Sequence, residues 1–555
     1  MRIQNITPQI QQLNNNKDEQ PRFTGAMDVI TGGLRFFETN QAWGANAVDV
    51  GSMVIPRTWT DMRERGPQAG SETFIREVAG TFNHSMVGVY GTLAAMLLAT
   101  SLNGKFDIRA DKIFADNNAI DIQAKEWHEA LKAGGNVKEE YAKRITDRIS
   151  TFNNGYKPIA EADKPKVQQT IIEVLEHAEN NKGKKLSKEE TKQTAKYLGE
   201  KIDYLTNLIS QSTGGKETAQ LANGEKSSVG TLRTTVQNIV NVSRTFVQDN
   251  VVDAFKSADN LSDNIFVKGL KSLNLKRSAY GLGFATLFGM SVQPFNRWLT
   301  KKRTGNDGFV GVQGRQKDTS KSFAVQKVIS GLVLGTAALA TITTKPSKML
   351  SKLQFKGMSP TINQLKFVYG MTIMSRLFAA RDKDELRESA IKDTLGFLNL
   401  LILGSLVTKG AAMAMDKTKT LLNTSETSKN FFKRFINSSL KTKDEVLLEG
   451  LKKHGISTIG EDGKALKFSK LMELLPKTEK VTRSKLNILN IAQIIGYAYS
   501  GLVLGRGIPM LNIYMTNKRE ARNAQKLQAE NVTQTNALQA NNDFLKSKMV
   551  NFYGN

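Results

Sequence analysis

VISGLVLGTAALATITT, residues 328–344, carries no charged side chain, and within it SGLVLG at 330–335 returns letter for letter at 500–505. Each copy sets two glycines four apart, Gly331 with Gly335 and Gly501 with Gly505. An interior glycine costs a water-exposed helix about 1 kcal/mol relative to alanine. In hydrocarbon the balance differs, because helices there associate through close backbone approach, which small residues four apart permit. The same spacing recurs at Gly91, Ala95 and Ala99, and again at Gly281, Ala285 and Gly289. These ten residues are the expected helix-packing positions.

A bilayer-spanning helix needs about 20 mainly apolar residues. Spans of this kind are expected at 78–104, with an apolar heart at 85–102, and near 278–297, 328–344, 394–415 and 486–505, of which 278–296 and 394–408 are the uncharged parts of the second and fourth. Residues 367–380 are a further candidate, interrupted by Arg376. The pattern predicts an all-α, multi-pass helical membrane bundle with an inserted water-facing helical region. The first 25 residues are rich in Asn and Gln and read as disordered. Residues 26–77 are mixed and stay unassigned. Residues 105–277 form the water-facing region. Val167, Ile171, Val174 and Leu175 share one helical face there, as do Leu198, Ile202, Leu205 and Ile209. Ser187 with Glu190 reads as a capping box, and Gly134–Gly135 and Gly214–Gly215 as breaks between helices. No strand is expected in this region. Within 278–517, residues 416–485 are a polar basic insert with a short hairpin signal around Asp462–Gly463. A polar tail at 518–555 reads as a helix that frays.

Mean hydropathy is −0.34, so any membrane part shares the chain with a large aqueous part. Net charge is +26, which implies an anionic partner. The lysines and arginines are spread through the polar segments and form no single basic face, so anionic lipid is favoured over nucleic acid. Residues 105–277 are the expected surface for protein partners. The chain has no cysteine, which removes disulfides, thiol nucleophiles and thiolate metal sites.

The four histidines, His84, His128, His177 and His454, are far apart, and no HExxH, GxSxG, Walker A or kinase signature occurs. No metal, cofactor or catalytic residue is therefore expected. The one glycine-rich candidate is TGNDGFVGVQGRQK at 304–317. Gly308, Gly311 and Gly314 recur every third residue there, beside Lys301, Lys302, Arg303 and Arg315. Exposed N–H groups in such a loop can hold an anion or a lipid headgroup. The densely charged run RDKDELRESAIKD, 381–393, reads as a solvated helix, with Arg381 facing Glu385 and Glu388 facing Lys392. Arg376 and Asp393 lie near segment ends, from which they are expected to reach water.

A second echo joins 279–303 to 498–519. Asn296, Trp298, Thr300 and Arg303 match Asn512, Tyr514, Thr516 and Arg519 at one constant offset. A common membrane-exit design, an aromatic followed by basic residues, is the favoured explanation over duplication. The overall expectation is a non-enzymatic integral membrane protein with a scaffold or membrane-organising role. A transporter or channel, a soluble protein that inserts the apolar hairpin 278–344, and a basic nucleic-acid-binding structural protein are the alternatives. A transporter would need polar groups converging inside the bundle, for which Asn399 and Asn490 are the sequence's candidates.

Overall fold

The computed structural model describes residues 26–39, 44, 46–47, 49–152, 155–184, 186–312, 315–399, 403–423, 435, 438–461 and 463–553. The segment read as disordered, 1–25, lies outside them, as do Gly314 and Asp462. The described chain is mostly helical, as expected. Its elements are α1 (Ala26–Thr39), α2 (Ile55–Arg65), α3 (Pro67–Leu98) and α4 (Thr100–Phe106). The water-facing region holds α5 (Asn117–Ala133), α6 (Val137–Asp147), β1 (Ile149–Phe152), β2 (Tyr156–Pro158), α7 (Lys164–Asn180), α8 (Lys188–Thr213), β3 (Thr218–Asn223), β4 (Lys226–Thr231), α9 (Leu232–Ser243) and α10 (Asp249–Lys256). Then follow α11 (Ile265–Thr304), α12 (Lys321–Ala340), α13 (Ile362–Phe378), α14 (Lys383–Leu398) and α15 (Gly404–Met415). The last part has β5 (Leu422–Asn423), β6 (Ser439–Leu440), α16 (Lys443–Lys453), α17 (Phe468–Leu474), α18 (Lys480–Ser500) and α19 (Ile508–Tyr553).

The expected helices of the water-facing region form, with Ser187 and Glu190 making both bonds of the capping box and Gly134 and Gly135 both at positive φ. The region is not purely helical, however. Its four strands make an antiparallel sheet in the order β2-β1-β3-β4. Gly224–Glu225 turns β3 into β4, with Gly224 at φ 59 and Asn223 paired to Lys226. The helices and sheet enclose one core in which Trp127, Tyr141, Phe246 and Phe255 touch ring to ring. Phe106 of α4 and Phe266 of α11 reach into it, so this domain grips both helices that lead into the bundle.

Two antiparallel helical hairpins carry the aqueous inserts, and α12 and α13 pack together beside them. In the first, α3 packs along α11: Gly281 would place a Cβ 2.9 Å from the Cα of Gly91, and Asn83 Nδ2 donates to the Ala285 carbonyl at 2.9 Å. In the second, α14 and α15 pack along α18 and α19. Gly404 faces Ser500 there, and Asn512 Nδ2 donates to the Glu388 carbonyl at 3.0 Å. Each hairpin carries its aqueous insert at the same place, between its two arms. The inserts touch: Thr442 Oγ1 donates to the Gly215 carbonyl at 3.0 Å, and Lys216 lies 3.5 Å from Glu445. The expected apolar hairpin at 278–344 is not a unit, since α11 pairs with α3 and α12 with α13.

Among the described residues two helices, Lys321–Ala340 and Lys480–Lys546, are long and apolar enough to cross a membrane, or three if Pro67–Leu98 and Thr100–Phe106, bent by 58°, make one span. Length and composition thus give fewer spans than the sequence suggested. Residues 278–297 sit inside the 40-residue α11, where glycines, Gln293 and Asn296 make the uncharged middle less apolar. Residues 394–415 are divided between α14 and α15, and 367–380 fall on the 17-residue α13. The distribution of apolar surface is sharper than the span count. Among the described residues of 107–264, Tyr156 and Val229 are the only exposed large apolar side chains. The bundle exposes them in rows: Phe74, Val78, Phe82, Val89, Leu93 and Leu97 on α3, and Val325, Val328, Ile329, Leu332 and Val333 on α12.

Two outcomes follow. Gly281→Leu should destabilise the protein by about 1–3 kcal/mol in thermal unfolding in mild detergent, whereas Gly283→Leu, whose Cβ would meet nothing within 4 Å, should leave it unchanged. The second concerns the insert junction. Burial beside Asp444, itself held by Arg35 at 2.6 Å, pushes the Glu217 carboxyl up to about 8. The protonated form is thus favoured by folding. Stability should be fullest below the ordinary carboxylate range, fall as pH rises, and level off above about 8. Hydrogen exchange of 438–475 against pH reads this, and Glu217→Gln should flatten the profile.

Candidate functional site

The two hairpins meet through exchanged arginines. Arg65, at the end of α2, clasps Glu388 of the second hairpin with bonds of 2.6 and 2.8 Å. Arg381, after α13, clasps Glu72 of the first at 2.5 and 3.3 Å. Each glutamate is also held by its own hairpin. Thr300 Oγ1 donates to Glu72 Oε2 at 2.8 Å, and Thr516 Oγ1 to Glu388 Oε1 at 2.5 Å. Asn296 and Asn512 donate to the backbone carbonyls of the same two glutamates, at 2.8 and 3.0 Å. Phe309 is buried between the two clasps, its ring 5.5 Å from the Arg65 guanidinium and 5.9 Å from that of Arg381.

The sequence echo therefore occupies equivalent positions, and common exit chemistry does not explain the shared interior contacts. Beneath it runs a second match that sequence reading missed. Arg65, Glu72, Ile75, Gly80, Asn83, Gly88, Thr92 and Ala95 correspond, at one constant spacing, to Arg381, Glu388, Ile391, Gly396, Asn399, Gly404, Thr408 and Ala411. Arg76–Glu77 corresponds to Lys392–Asp393 in the same register. On the return arms, Asn274, Gly289 and Lys302 correspond to Asn490, Gly505 and Lys518. An internal duplication accounts for both series. The signal was present in the sequence, but the inserts differ in length and put the two arms of each hairpin at different offsets.

One layer further in, Arg376 Nη1 lies 2.6 Å from Asp393, and its Nη2 lies 3.3 Å from Glu77. Arg76 and Arg57 approach Glu77 at 3.0 and 3.4 Å, and Lys392 at 3.8 Å. Arg376 and Asp393 are thus buried against each other and do not reach for water. The run 381–393 is likewise no solvated face: Arg381, Asp384, Glu385 and Glu388 are buried. The expected pair Arg381–Glu385 forms at 3.0 Å, while Glu388 turns to Arg65 in place of Lys392. Asn399 and Asn490 are buried, each with an amide oxygen left unbonded. A cavity of about 40 Å³ adjoins the cluster, lined by Arg57, Arg65, Glu388, Lys392, Phe309 and Asn512 among others.

The expected packing residues divide by what they meet. Gly91 and Gly281 bring backbones together, with Phe355 over both. Ala95, Ala99 and Ala285 are fully buried, and Gly289 faces Asn83 and Thr372. Gly331 receives the ring of Phe378 and Gly335 the side chain of Met374. Gly505 lies in a π-helical turn, Gly501–Gly507, where its Cβ would come 2.6 Å from Pro56; Gly501 faces Ser52 across the same contact. Of the described anion-loop residues, Gly311 lines the cavity, and the others are engaged elsewhere. Lys301 reaches Asp307 at 3.3 Å, Lys302 lies over Trp298, and Arg303 donates to Ser71 at 3.3 Å. The Gly308 N–H is taken by Asn306, Gly311 packs on Phe309, and Arg315 spans Asp384 and Glu520. The loop closes over the clasps.

Comparison with models of known protein families, with characterised proteins and with solved structures finds no match. Breaking a buried ion pair costs about 3–5 kcal/mol because the partner charge is stranded. Arg65→Ala and Arg381→Ala should therefore destabilise by similar amounts of that order in thermal unfolding, and Glu388→Gln on the Arg65→Ala background should recover part of the loss. Arg63→Ala, whose side chain is 71% exposed, should change stability by no more than about 0.5 kcal/mol.

Proposed function

We propose that the chain is a multi-pass integral membrane protein whose two related hairpins move a small charged solute across the bilayer. The observation that carries this is an inverted distribution of polarity: one layer in from the clasps, Glu77, Arg376 and Asp393 of the two hairpins meet buried inside a bundle whose outside is apolar. Charges inside a membrane bundle are expensive and mark solute or proton routes. Repeats that face one another across such a site are a recurring transporter design. Both aqueous inserts lie together, and both return arms carry, beside the clasp residues, an exposed aromatic with a lysine over its ring, Lys302 on Trp298 and Lys518 on Tyr514. That shared end suits an anionic lipid surface. The scaffold role expected from the absence of catalytic motifs needs no buried charge where the hairpins join, so transport is preferred.

Membranes washed at alkaline pH should retain the protein in the pellet. Proteoliposomes containing it should release trapped salt ions faster than empty ones, by ion-selective electrode, and Arg376→Gln should abolish the difference. Loss from the pellet would remove the membrane reading. Retention without flux would leave a membrane scaffold.

A further inference from the structure

We propose that the cavity between the two hairpins binds a small inorganic anion. This deepens the transport reading by naming the solute class, but the site is argued from its unused hydrogen-bonding capacity.

The acceptors around the cavity are already committed. Glu72 holds Arg381 and Thr300, Glu385 holds Arg381 and Arg297, and Glu388 holds Arg65 and Thr516. Asp61 takes the Thr73 hydroxyl at 2.5 Å. Arg76 is likewise bonded, to Glu77 and Thr73, but other donors are not committed. Arg57 is 1% exposed; its Nε donates to the Leu504 carbonyl at 2.8 Å and its Nη1 reaches Glu77 at 3.4 Å, but Nη2 is buried with no partner. Arg65 Nε is also buried and unbonded. The Lys392 ammonium has its nearest carboxylate oxygen, on Glu77, at 3.8 Å, beyond hydrogen-bonding distance. Asp49 is buried and acts on Arg57 electrostatically, yet it does not line the cavity. Among the described residues that do, the buried unbonded acceptor is Asn512 Oδ1; the second oxygen of Asp61 lies at the less buried rim.

A buried donor left unbonded costs about 1–3 kcal/mol, more when charged. Two such donors, with the Lys392 ammonium beside them, fit a small anion better than a cation. A cavity of about 40 Å³ holds a few water molecules or one ion of that size. Asn512 Oδ1 would accept from a protonated oxyanion such as hydrogenphosphate.

The test uses the purified full-length protein in detergent. Its melting temperature is followed at constant ionic strength as sodium gluconate is replaced by sodium chloride or sodium phosphate. One of the two small anions should raise the midpoint saturably. Lys392→Gln should raise the half-saturating concentration about tenfold or more, as loss of a charged hydrogen bond does, while Lys392→Arg keeps the response. Ser389→Asp adds a carboxylate at the cavity wall and should weaken the response similarly, should the lysine variant fail to fold. A purely structural Lys392 would lower the midpoint equally in all three salts. Equal wild-type melting in gluconate, chloride and phosphate, or an undiminished response in both Lys392→Gln and Ser389→Asp, overturns the proposal. Saturable stabilisation without flux would keep the site and remove the transport reading.

Discussion

Glu72 and Glu388 each hold the arginine of the opposite hairpin, and the rest of the bundle is arranged around the need to keep those charges paired. A charge taken out of water survives only with a close partner and with its remaining lone pairs bonded. The threonine and asparagine of each return arm supply those further bonds. They fix the register of each hairpin at the same time, because sliding an arm by one residue would turn them away from the glutamate. The clasps therefore set both the alignment within a hairpin and the docking between hairpins.

The glycines serve this alignment in different ways. Where Gly91 meets Gly281, two backbones approach, so the amide of Asn83 can span to the Ala285 carbonyl. The two copies of SGLVLG do not share a role. At 330–335 the glycines are sockets for Phe378 and Met374 within a regular helix. At 500–505 the same letters wind as a π-helical turn that displaces a backbone carbonyl, Leu504, into the grasp of Arg57. Such turns free a carbonyl that an α-helix would consume. The local sequence is identical and the outcome is set by the partner, which neither copy encodes.

This shows where sequence reading succeeded and where it had to stop. Helical periodicity, the Ser187–Glu190 cap and the two insert positions were legible because they are local or because composition changes sharply there. The β3–β4 turn was also written locally, at Gly224–Glu225, but the helix-like spacing of Val229, Leu232 and Val236 masked it. The charged run 381–393 was misread as solvated because helical spacing pairs Glu388 with Lys392, while its true partner, Arg65, is more than 300 residues away. Burial of that kind is a property of the assembled bundle. The matching Arg, Glu and Asn series was the one global signal available, and the unequal inserts broke its register.

The likeness of the two hairpins is incomplete, and the departures fall around the cavity. Arg57 and Arg376 both approach Glu77, yet they do not correspond in the duplicated register. Arg76 corresponds to Lys392, so a guanidinium bound to Glu77 at 3.0 Å is matched by an ammonium that stands off at 3.8 Å. Phe309 closes over both clasps from one loop. A pair of equal halves would satisfy its donors in equal numbers. Here the second half contributes a shorter cation at Lys392 and an unwound turn at 501–507, and the surplus donors collect on one side of Glu77. The duplication builds a stable frame of paired charges, and the divergence of its halves leaves a polar cavity inside it.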